Sequence, residues 1–323
     1  ALQMPPRPRR FRRAEVALIK LTSGSTGRPR PLVFTAAEVL ADARQVMATM
    51  GITDRDLNYA LIPFGHSYGL GNVTIPLVAH GVPVVCGTMG LPQTIAAEFA
   101  RWQPTVFPGV PALWRGLVQA DLPPQALASL RLGISAGAPL APEVARAFAD
   151  RFHRRLHAFY GSSETGGIAF DRTGAATLEG GVGTALEGVR LERGRGEQLI
   201  VASAAACSRG RRRKRAGLAA WTMPDRVEWG PDGAVRLLGR RGAVVKLAGR
   251  RVNLGEVEAR LRQLPGVRDV WVGIDDGVEP VLGAAVVADL PASQLRERLH
   301  ADTATWKIPK RFAVVDAFPL TAR

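Results

Sequence analysis

Short apolar runs alternate with longer amphipathic stretches through the first half of the chain. The apolar runs have the length of buried strands and lie at residues 16–19, 32–34, 59–63, 83–86, 105–107, 130–135 and 156–160. The stretches with helical spacing lie at residues 36–50, 94–102, 111–119 and 142–152. Thr35 is a candidate N-cap for the first of these helices. Strands that alternate with such helices predict an α/β class with a largely parallel, helix-covered sheet, whose ligands lie at the carboxyl ends of strands.

The pattern changes after Gly166, where glycines become frequent and antiparallel strands are predicted at residues 198–201 and 234–238. Further on, a hairpin at 244–254, helices at 256–264 and 291–300, and strands at 270–274 and 282–287 predict a small α+β domain. We therefore divide the chain into a basic, Pro-rich tail (1–14), a large core domain (15–239) with a helix-covered mixed sheet, and a C-terminal domain (240–323).

Composition limits the possible functions of the chain. Its 323 residues are 46% apolar, and no apolar run approaches the roughly 20 residues that span a bilayer. Two cysteines fit neither a disulfide framework nor a zinc site, which favours a reducing, cytoplasmic setting. The net charge of +15 favours anionic partners such as nucleotides, coenzymes or acidic proteins. The dense basic block at residues 209–215 has no interleaved aromatics, so the sequence disfavours nucleic acid as a partner.

A loop rich in Ser, Thr and Gly follows the first apolar run. It comprises Thr22, Ser23, Gly24, Ser25, Thr26, Gly27, Arg28, Pro29 and Arg30. Glycines allow backbone N–H groups to converge on an anion, hydroxyls donate further hydrogen bonds, and Arg30 adds charge. The loop differs from the common P-loop, because Pro29 and Pro31 prevent an immediate helix. The composition predicts a phosphate cradle, with a flexible surface loop as the alternative.

Two other motifs are weaker. Residues 133–137 match the G-x-S-x-G nucleophile elbow around Ser135, but Pro139 and Pro142 delay the helix that the elbow requires. His153 and His157 are four residues apart, yet the Glu of a zinc-binding H-E-x-x-H motif is missing, which favours a basic, solvated helix end.

A single carboxylate, Glu164, stands among hydroxyl residues and glycines after an apolar strand. The segment runs Tyr160, Gly161, Ser162, Ser163, Glu164, Thr165, Gly166. Mg²⁺ is usually held by one or two carboxylates together with substrate phosphates, so opposite a phosphate cradle Glu164 is a candidate magnesium ligand. An exposed loop glutamate is the alternative.

Five motifs occur in order: residues 22–30, Gly137-Ala138-Pro139, residues 160–164, Gly239-Arg240, and residues 246–258 with Glu256-Val257-Glu258. Together they resemble the acyl-adenylate-forming (AMP-binding) superfamily, which includes acyl-CoA synthetases, peptide-synthetase adenylation domains and luciferases. The resemblance covers residues 15 to 323. It implies an enzyme that joins a carboxylic acid to ATP, releases pyrophosphate, and passes the acyl group to CoA or a phosphopantetheine arm.

The resemblance also implies roles for individual residues. The β- and γ-phosphates would be held by Thr22, Ser23, Gly24, Ser25, Thr26, Gly27 and Arg30. The adenine would be lined by Gly137, Ala138 and Pro139, and Tyr160 would stack on it, beside Gly161, Ser162 and Ser163. Glu164 would bind Mg²⁺, Asp225 would bind the ribose, and Arg240 would contact ribose or phosphate. Glu164, Arg240 and Thr26 are thus the candidate catalytic residues. His66, Ser67, Tyr68, Gly69, Ser135 and Ala136 would border the acyl pocket, and Gly249 and Arg250 the pantetheine channel.

Both ends of the chain depart from the family pattern. The cradle begins at residue 22, whereas a longer upstream part normally precedes it, and residues 318–323 stop before the position of the family's catalytic Lys. A shortened chain with impaired activity is therefore expected. The leading hypothesis is an acid–CoA ligase, with a role in fatty acid metabolism. The alternatives are an adenylation unit that loads an acidic carrier protein through the 209–215 block, and a nucleotide-binding protein without full catalysis.

Overall fold

The computed structural model describes residues 16–22, 30–194, 197–209, 214–240, 244–247, 250–275 and 281–318. The chain forms two compact units. Unit 1 contains the described residues up to Gly194 together with Leu199–Met223 and Trp229–Arg236. Unit 2 contains the described residues among Arg195–Gln198, Pro224–Glu228 and Leu237–Arg323. The boundary that the sequence suggests between residues 239 and 240 stays a prediction.

A two-stranded hairpin and a long helix open unit 1. The hairpin pairs β1 (Leu18–Thr22) with β2 (Arg30–Phe34), and α1 follows at Ala36–Met50. Thr35 is the N-cap, as predicted, because its hydroxyl accepts the Glu38 N–H while the Glu38 carboxylate accepts the Thr35 N–H at 2.7 Å. Such a reciprocal capping box satisfies two of the helix's free donors. Gly51, with φ of 60°, ends the helix in the left-handed region.

A seven-stranded sheet forms the centre of unit 1, in the order β4-β3-β5-β6-β7-β8-β9. Its strands are β3 (Asn58–Ala60), β4 (Val84–Cys86), β5 (Val106–Gly109), β6 (Leu132–Ser135), β7 (Leu156–Ser162), β8 (Gly166–Phe170) and β9 (Thr184–Ala185). Strands β3 to β7 pair in parallel, whereas β8 and β9 add to β7 antiparallel. The helices that connect them are α2 (Ser67–Gly69), α3 (Ile75–His80), α4 (Pro92–Trp102), α5 (Pro111–Gln119) and α6 (Pro142–Phe152).

An aromatic core holds helices α4, α5 and α6 against this sheet. Tyr59 and Phe107 from the strands meet Phe99, Trp114 and Phe148 from the helices, all almost fully buried. Neighbouring rings lie close, at 5.0 Å for Tyr59–Phe107 and 4.7 Å for Phe107–Trp114. Aromatic pairs at this spacing add to the free energy of area burial. The core fixes the helices on this face and so holds the parallel strands in place.

A second sheet follows in the order β10-β11-β13-β12, with β14 paired to β13. Its strands are β10 (Arg190–Arg193), β11 (Gln198–Ser203), β12 (Lys214–Arg215), β13 (Leu218–Trp229) and β14 (Val235–Arg240). The sequence analysis missed β13, because its small and polar residues alternate without a clear apolar period. A turn at Pro231–Gly233 leads into β14, the strand that the sequence predicts at residues 234–238.

Unit 2 has a small α+β core of its own. It contains the hairpin β15 (Val244–Leu247) and β16 (Arg250–Asn253), helix α7 (Leu254–Arg262), strands β17 (Val267–Asp275), β18 (Val281–Ala288) and β19 (Arg311–Val315), and helix α8 (Ala292–Asp302). β17 and β18 pair antiparallel, and β18 and β19 pair in parallel. Val257, Leu261, Val286 and Leu295 are fully buried in its core. The predicted α/β class, with a large mixed sheet and a small α+β part, is confirmed.

Candidate functional site

Two antiparallel strands hold the ends of the predicted phosphate cradle. β1 and β2 pair from Leu18 opposite Phe34 to Thr22 opposite Arg30. The backbones of Thr22 and Arg30 therefore lie side by side, which is the closure that an anion-binding loop needs. The residues between them, Ser23, Gly24, Ser25, Thr26 and Gly27 with Arg28 and Pro29, lie outside the described residues.

The parallel strands β5, β6 and β7 end at one edge of the seven-stranded sheet. Gly109, the last residue of β5, pairs with Ser135, the last residue of β6, so these two strands end side by side, while Ser135 also pairs with Ala158 within β7. The predicted adenine segment follows immediately. Gly137 has φ of 87°, a conformation that glycine adopts without strain, and Gly137, Ala138 and Pro139 are exposed. The buried Tyr160 lies further along β7.

The turn between β7 and β8 presents Glu164. Ser162 Oγ accepts the N–H groups of Glu164 and Thr165, each at 3.2 Å, and Cys207 donates its N–H to the Glu164 carbonyl at 2.9 Å. The backbone of the turn is thus tied on both sides. Among the described residues, the half-buried Glu164 carboxylate has no hydrogen bond and no ion pair within 4 Å. A carboxylate that is available in this way fits a magnesium ion that is shared with phosphate oxygens.

The predicted acyl segment lies at the same edge of the sheet. His66 accepts the Tyr68 N–H at 3.3 Å and begins α2. The buried Tyr68 hydroxyl shares its proton between the carbonyls of Gly109, at 3.3 Å, and Ile134, at 3.2 Å. Burial raises the pKa of Tyr68 well above its ordinary value, so the hydroxyl remains a donor.

Two further contacts define how this segment sits. Ser67 Oγ lies 3.2 Å from Ser163 Oγ, beside Glu164. A Cβ atom on Gly69 would lie 2.1 Å from the carbonyl oxygen of Pro63, so only glycine fits there. The structure therefore brings residues 66–69, the end of β6 and the Glu164 turn together.

Ser135 does not form a nucleophile elbow. The strand ends at Ser135, and α6 begins seven residues later at Pro142, so no helix starts at this serine. Its buried hydroxyl has no hydrogen-bond partner among the described residues, and His157 instead bonds through Nδ1 to the Asp171 carbonyl at 2.8 Å. Without a base against its hydroxyl, Ser135 is not activated as a nucleophile.

The sequence analysis missed two opposite charges near the Glu164 turn, the buried Asp42 and the half-buried Lys20. Asp42 on α1 accepts the Gly167 N–H at 2.9 Å and interacts electrostatically with Lys20 on β1. Burial raises the pKa of Asp42, and Lys20 and the Gly167 N–H oppose that rise. Burial lowers the pKa of Lys20, and Asp42 opposes that fall, as do Cys207 and Glu164 more weakly.

Asp42 belongs to a stripe of polar side chains along one face of α1. Its members each receive a hydrogen bond from another segment: Glu38 from Ser208 N, Asp42 from Gly167 N, Gln45 from Ser203 Oγ, and Thr49 from Glu187 N. The spacing of four, three and four residues places them on one helical face. This spacing could have revealed the stripe in the sequence. The sequence does not distinguish a helix face whose carboxylates are buried against the core from one whose carboxylates face solvent.

The remaining predicted residues belong to unit 2. Asp225 is buried within β13 and has an interaction partner. Arg240 is the last residue of β14, and Arg250 is the first of β16. The side chains of Arg240 and Arg250 and the whole of Gly249 lie outside the described part of the structure. The roles assigned to these residues stay predictions.

Within the described residues, no helix combines the length and apolar character needed to cross a membrane.

The chain is similar to several known proteins. A 4-hydroxybutyrate–CoA ligase from Metallosphaera sedula is 24% identical over 347 residues, which cover 97% of this chain and 61% of the relative. Tyrocidine synthase 3 from Brevibacillus parabrevis is 42% identical over 102 residues, 30% of this chain and 2% of that protein. The ATP-bound MatB structure from Rhodopseudomonas palustris matches with a TM-score of 0.81 and 25% identity, over 96% of this chain and 66% of that one. The chain thus spans about three fifths of the length of the first relative.

A sequence profile of the AMP-binding enzymes matches residues 2–192, more than half of the chain. This stretch includes the hairpin around the cradle, the ends of β5 to β7 and the Glu164 turn. The chain belongs to the family of AMP-binding enzymes, the acyl-adenylate-forming ligases that its motifs resemble.

Proposed function

We propose that this protein activates a carboxylic acid with ATP, releases pyrophosphate, and transfers the acyl group from the acyl-adenylate to the thiol of CoA. The observation that carries the proposal is the contact between Ser67 and Ser163. It places the segment assigned to the acyl pocket directly against the turn of Glu164, which is assigned to ATP. The two reactants of an adenylation must meet at such a junction.

The chemistry of the first step suits the side chains present. The carboxylate oxygen of the acid attacks the α-phosphorus of ATP, and the bond to the bridging oxygen of pyrophosphate breaks. The acid is already ionised at neutral pH, so the step needs no general base, in agreement with an unactivated Ser135. It needs stabilisation of negative charge on the phosphates. In this proposal Thr22–Gly27 and Arg30 supply that stabilisation.

A magnesium ion on Glu164 would neutralise charge on the triphosphate. Gly137, Ala138 and Pro139 would border the adenine, on which Tyr160 stacks, and Asp225 would hold the ribose. Arg240 would contact ribose or phosphate, and Gly249 and Arg250 would border the pantetheine arm of CoA. His66, Tyr68, Ser135 and Ala136 would enclose the acyl group.

CoA is the proposed acceptor because the long matches among the relatives include proteins named as CoA ligases. A carrier protein is the second candidate. The observation that favours it is the 42% identity to tyrocidine synthase 3, which is higher than the identity to the CoA ligases but confined to 102 residues. In this second case the basic block at 209–215 would dock an acidic carrier.

Pyrophosphate release tests the proposal. The protein is mixed with ATP, Mg²⁺ and a panel of aliphatic and aromatic carboxylic acids, and pyrophosphate is measured before and after addition of CoA or a holo-carrier protein. We expect release that depends on the acid, and thioester formation with CoA that changes little with salt. Salt-sensitive thioester formation with the carrier alone would favour the second candidate. ATP binding by calorimetry without any release would contradict both and leave a nucleotide-binding protein.

Glu164→Gln is the variant that tests the site, since it removes the charge while keeping the shape. We expect kcat/KM for ATP to fall about a hundredfold or more, in line with the loss of one preorganised electrostatic contact. Asp56→Asn is the matched control. It likewise removes the charge of a carboxylate, in this case a buried one, but Asp56 lies before β3, at the opposite end of the sheet from Glu164. An equal loss in both variants would contradict the role of Glu164.

A further inference from the structure

A π-helical turn follows the predicted acyl segment directly. It covers Leu70–Thr74 and joins α2 to α3 within unit 1. The wider winding is visible at its end, where the Ile75 N–H donates to the carbonyl of Leu70, five residues earlier. Such turns are rare, and they occur frequently at functional sites. The contacts of its side chains indicate what this turn holds in place.

Asn72, in the middle of the turn, holds the backbone of Tyr68. Its Nδ2 donates to the Tyr68 carbonyl at 3.2 Å. Asn58, the first residue of β3, donates its own Nδ2 to the Asn72 carbonyl at 3.3 Å. Asn72 is 2% exposed and Asn58 is 0% exposed, so water does not compete for these bonds. A chain of two hydrogen bonds therefore runs from the central sheet through the turn to Tyr68.

Tyr68 is also fixed through its side chain. Its hydroxyl is shared by the carbonyls of Gly109 and Ile134, at the ends of β5 and β6. Its ring centroid lies 5.9 Å from that of Phe159 on β7. The sheet thus holds the ring of Tyr68, while the Asn72 amide holds its backbone.

The two asparagines carry a cost that packing does not explain. Within the described ranges, neither Asn58 Oδ1 nor Asn72 Oδ1 has a hydrogen-bond partner, although both atoms are buried. A buried amide oxygen without a donor opposes folding, whereas an apolar side chain of similar shape avoids that cost. The benefit of the amides therefore lies in what their N–H groups direct.

We propose that Asn72, supported by Asn58, is a positioning residue that sets the acyl segment, residues 66–69, against the ends of β5 and β6. The inference rests on the proposed function, because it assumes that this segment encloses the acyl group of the acid. Without the Asn72 amide, the backbone of Tyr68 is free to shift together with the π-helical turn. Positioning errors of about 1 Å are costly in active sites.

The proposal separates binding of the acid from binding of ATP. The turn of Glu164 is tied by its own hydrogen bonds, which involve Ser162 and Cys207 but not Asn72. Loss of the Asn72 amide should therefore weaken binding of the acid, while binding of ATP changes little.

The test compares Asn72→Leu with wild type in the full chain, using an acid that supports pyrophosphate release. We expect KM for the acid to rise about tenfold, as for the loss of one buried hydrogen bond, and KM for ATP to stay within about twofold of wild type. The variant loses an unpaired oxygen as well as a bond, so its melting temperature should stay within about 4 °C of wild type. If KM rises equally for the acid and for ATP, the proposal is wrong.

Thr49→Val is the matched control, since it also removes a buried polar group at nearly constant shape. Thr49 bonds to the Gln45 carbonyl and to the Glu187 N–H, both outside the acyl segment. It should leave KM for the acid within about twofold of wild type. A rise as large as that of Asn72→Leu would contradict the specific role of Asn72.

A double-variant cycle with Tyr68→Phe tests whether Asn72 acts through Tyr68. If it does, Asn72→Leu and Tyr68→Phe together should raise KM for the acid about as much as the larger single effect. Effects that multiply in full would contradict the proposal. Asn58→Leu is a second variant that leaves Asn72 in place. It should raise KM for the acid in the same selective way, and an unchanged KM for the acid would count against the chain of bonds.

Hydrogen exchange distinguishes this inference from the proposed function. Amides of residues 66–74 should exchange faster in Asn72→Leu, whether or not the protein activates an acid. If wild type releases no pyrophosphate with any acid, the proposed function fails, while faster exchange would still support the hold of Asn72 on the segment. If wild type is active and exchange does not respond, the positioning role is wrong.

Discussion

Gly166→Ala probes the close approach between α1 and the Glu164 turn. The new Cβ atom would lie 2.2 Å from Asp42 Oδ1, 2.5 Å from Cγ and 2.9 Å from Oδ2. Ordinary contact begins at about 3.4 Å, so the carboxylate or the turn must move by roughly 1 Å. Because Asp42 is buried between Gly71 and Gly166, it has little room to move. The hydrogen bond from Gly167 is the interaction that gives way.

The magnitude follows from two contributions. Alanine in the left-handed region at φ of 71° costs about 1 kcal/mol. Loss of a buried hydrogen bond to a charged group costs about 1.5–3 kcal/mol. Together they predict a loss of about 2.5–4 kcal/mol in the free energy of unfolding, which is a large part of the roughly 5–15 kcal/mol typical of a folded protein. The melting temperature should fall by about 10 °C.

Gly51→Ala is the matched control, since Gly51 has φ of 60° and a Cβ atom added there would meet no atom within 4 Å. Only the backbone cost of about 1 kcal/mol applies there. Urea unfolding followed by circular dichroism measures both variants, and the excess cost of Gly166→Ala reports the carboxylate. In an Asp42→Ala background the clash is gone, so Gly166→Ala should then cost about as much as Gly51→Ala. Equal costs for the two glycine variants in the wild-type background would refute the reasoning.

Three further variants test other contacts. Tyr68→Phe should lower the free energy of unfolding by about 1 kcal/mol, because two backbone carbonyls lose a shared donor; an unchanged urea midpoint would contradict this. Burial alone would raise the pKa of Asp56, but hydrogen bonds, above all from Arg131, hold it below its ordinary 3.8. Since a lowered pKa stabilises the fold above the unfolded value, Asp56→Asn should cost about 2 kcal/mol at neutral pH, and the difference should vanish as the pH falls through the lowered pKa. Melting curves from about pH 2 to neutral pH measure it, and a constant difference would argue against the ion pair. Lys307→Met removes two bonds to Glu256, at 2.7 and 2.9 Å, and should destabilise unit 2 by about 1 kcal/mol in a salt-dependent way; insensitivity to salt would count against a charge effect.

Much of the fold was predictable because its signals are local. The helix at Ala36–Met50 has Thr35 as its N-cap and Gly51 as its C-cap, so residues next to the helix indicate both of its boundaries. The helices at Pro111–Gln119 and Pro142–Phe152 each begin at a proline, a residue that is favoured at the first position of a helix and so marks the start locally. By contrast, the long strand at Leu218–Trp229 was missed, because its pairing with strands on both sides overrides a weak local pattern.

The candidate site divides in the same way. The sequence by itself determined the family, and it predicted the phosphate cradle at Thr22–Arg30 and the magnesium ligand Glu164, because loops that bind phosphate or metal need particular residue types at short spacing. Only the tertiary structure placed Ser67 against Ser163 and Asp42 against Gly166 and Gly167. These partners are 96 to 125 residues apart in two of the contacts, and their side chains carry no local sign of which segment they will meet. Such contacts between distant segments depend on the order of strands in the sheet and on helix packing, which together bring the ends of distant strands to one edge of the sheet.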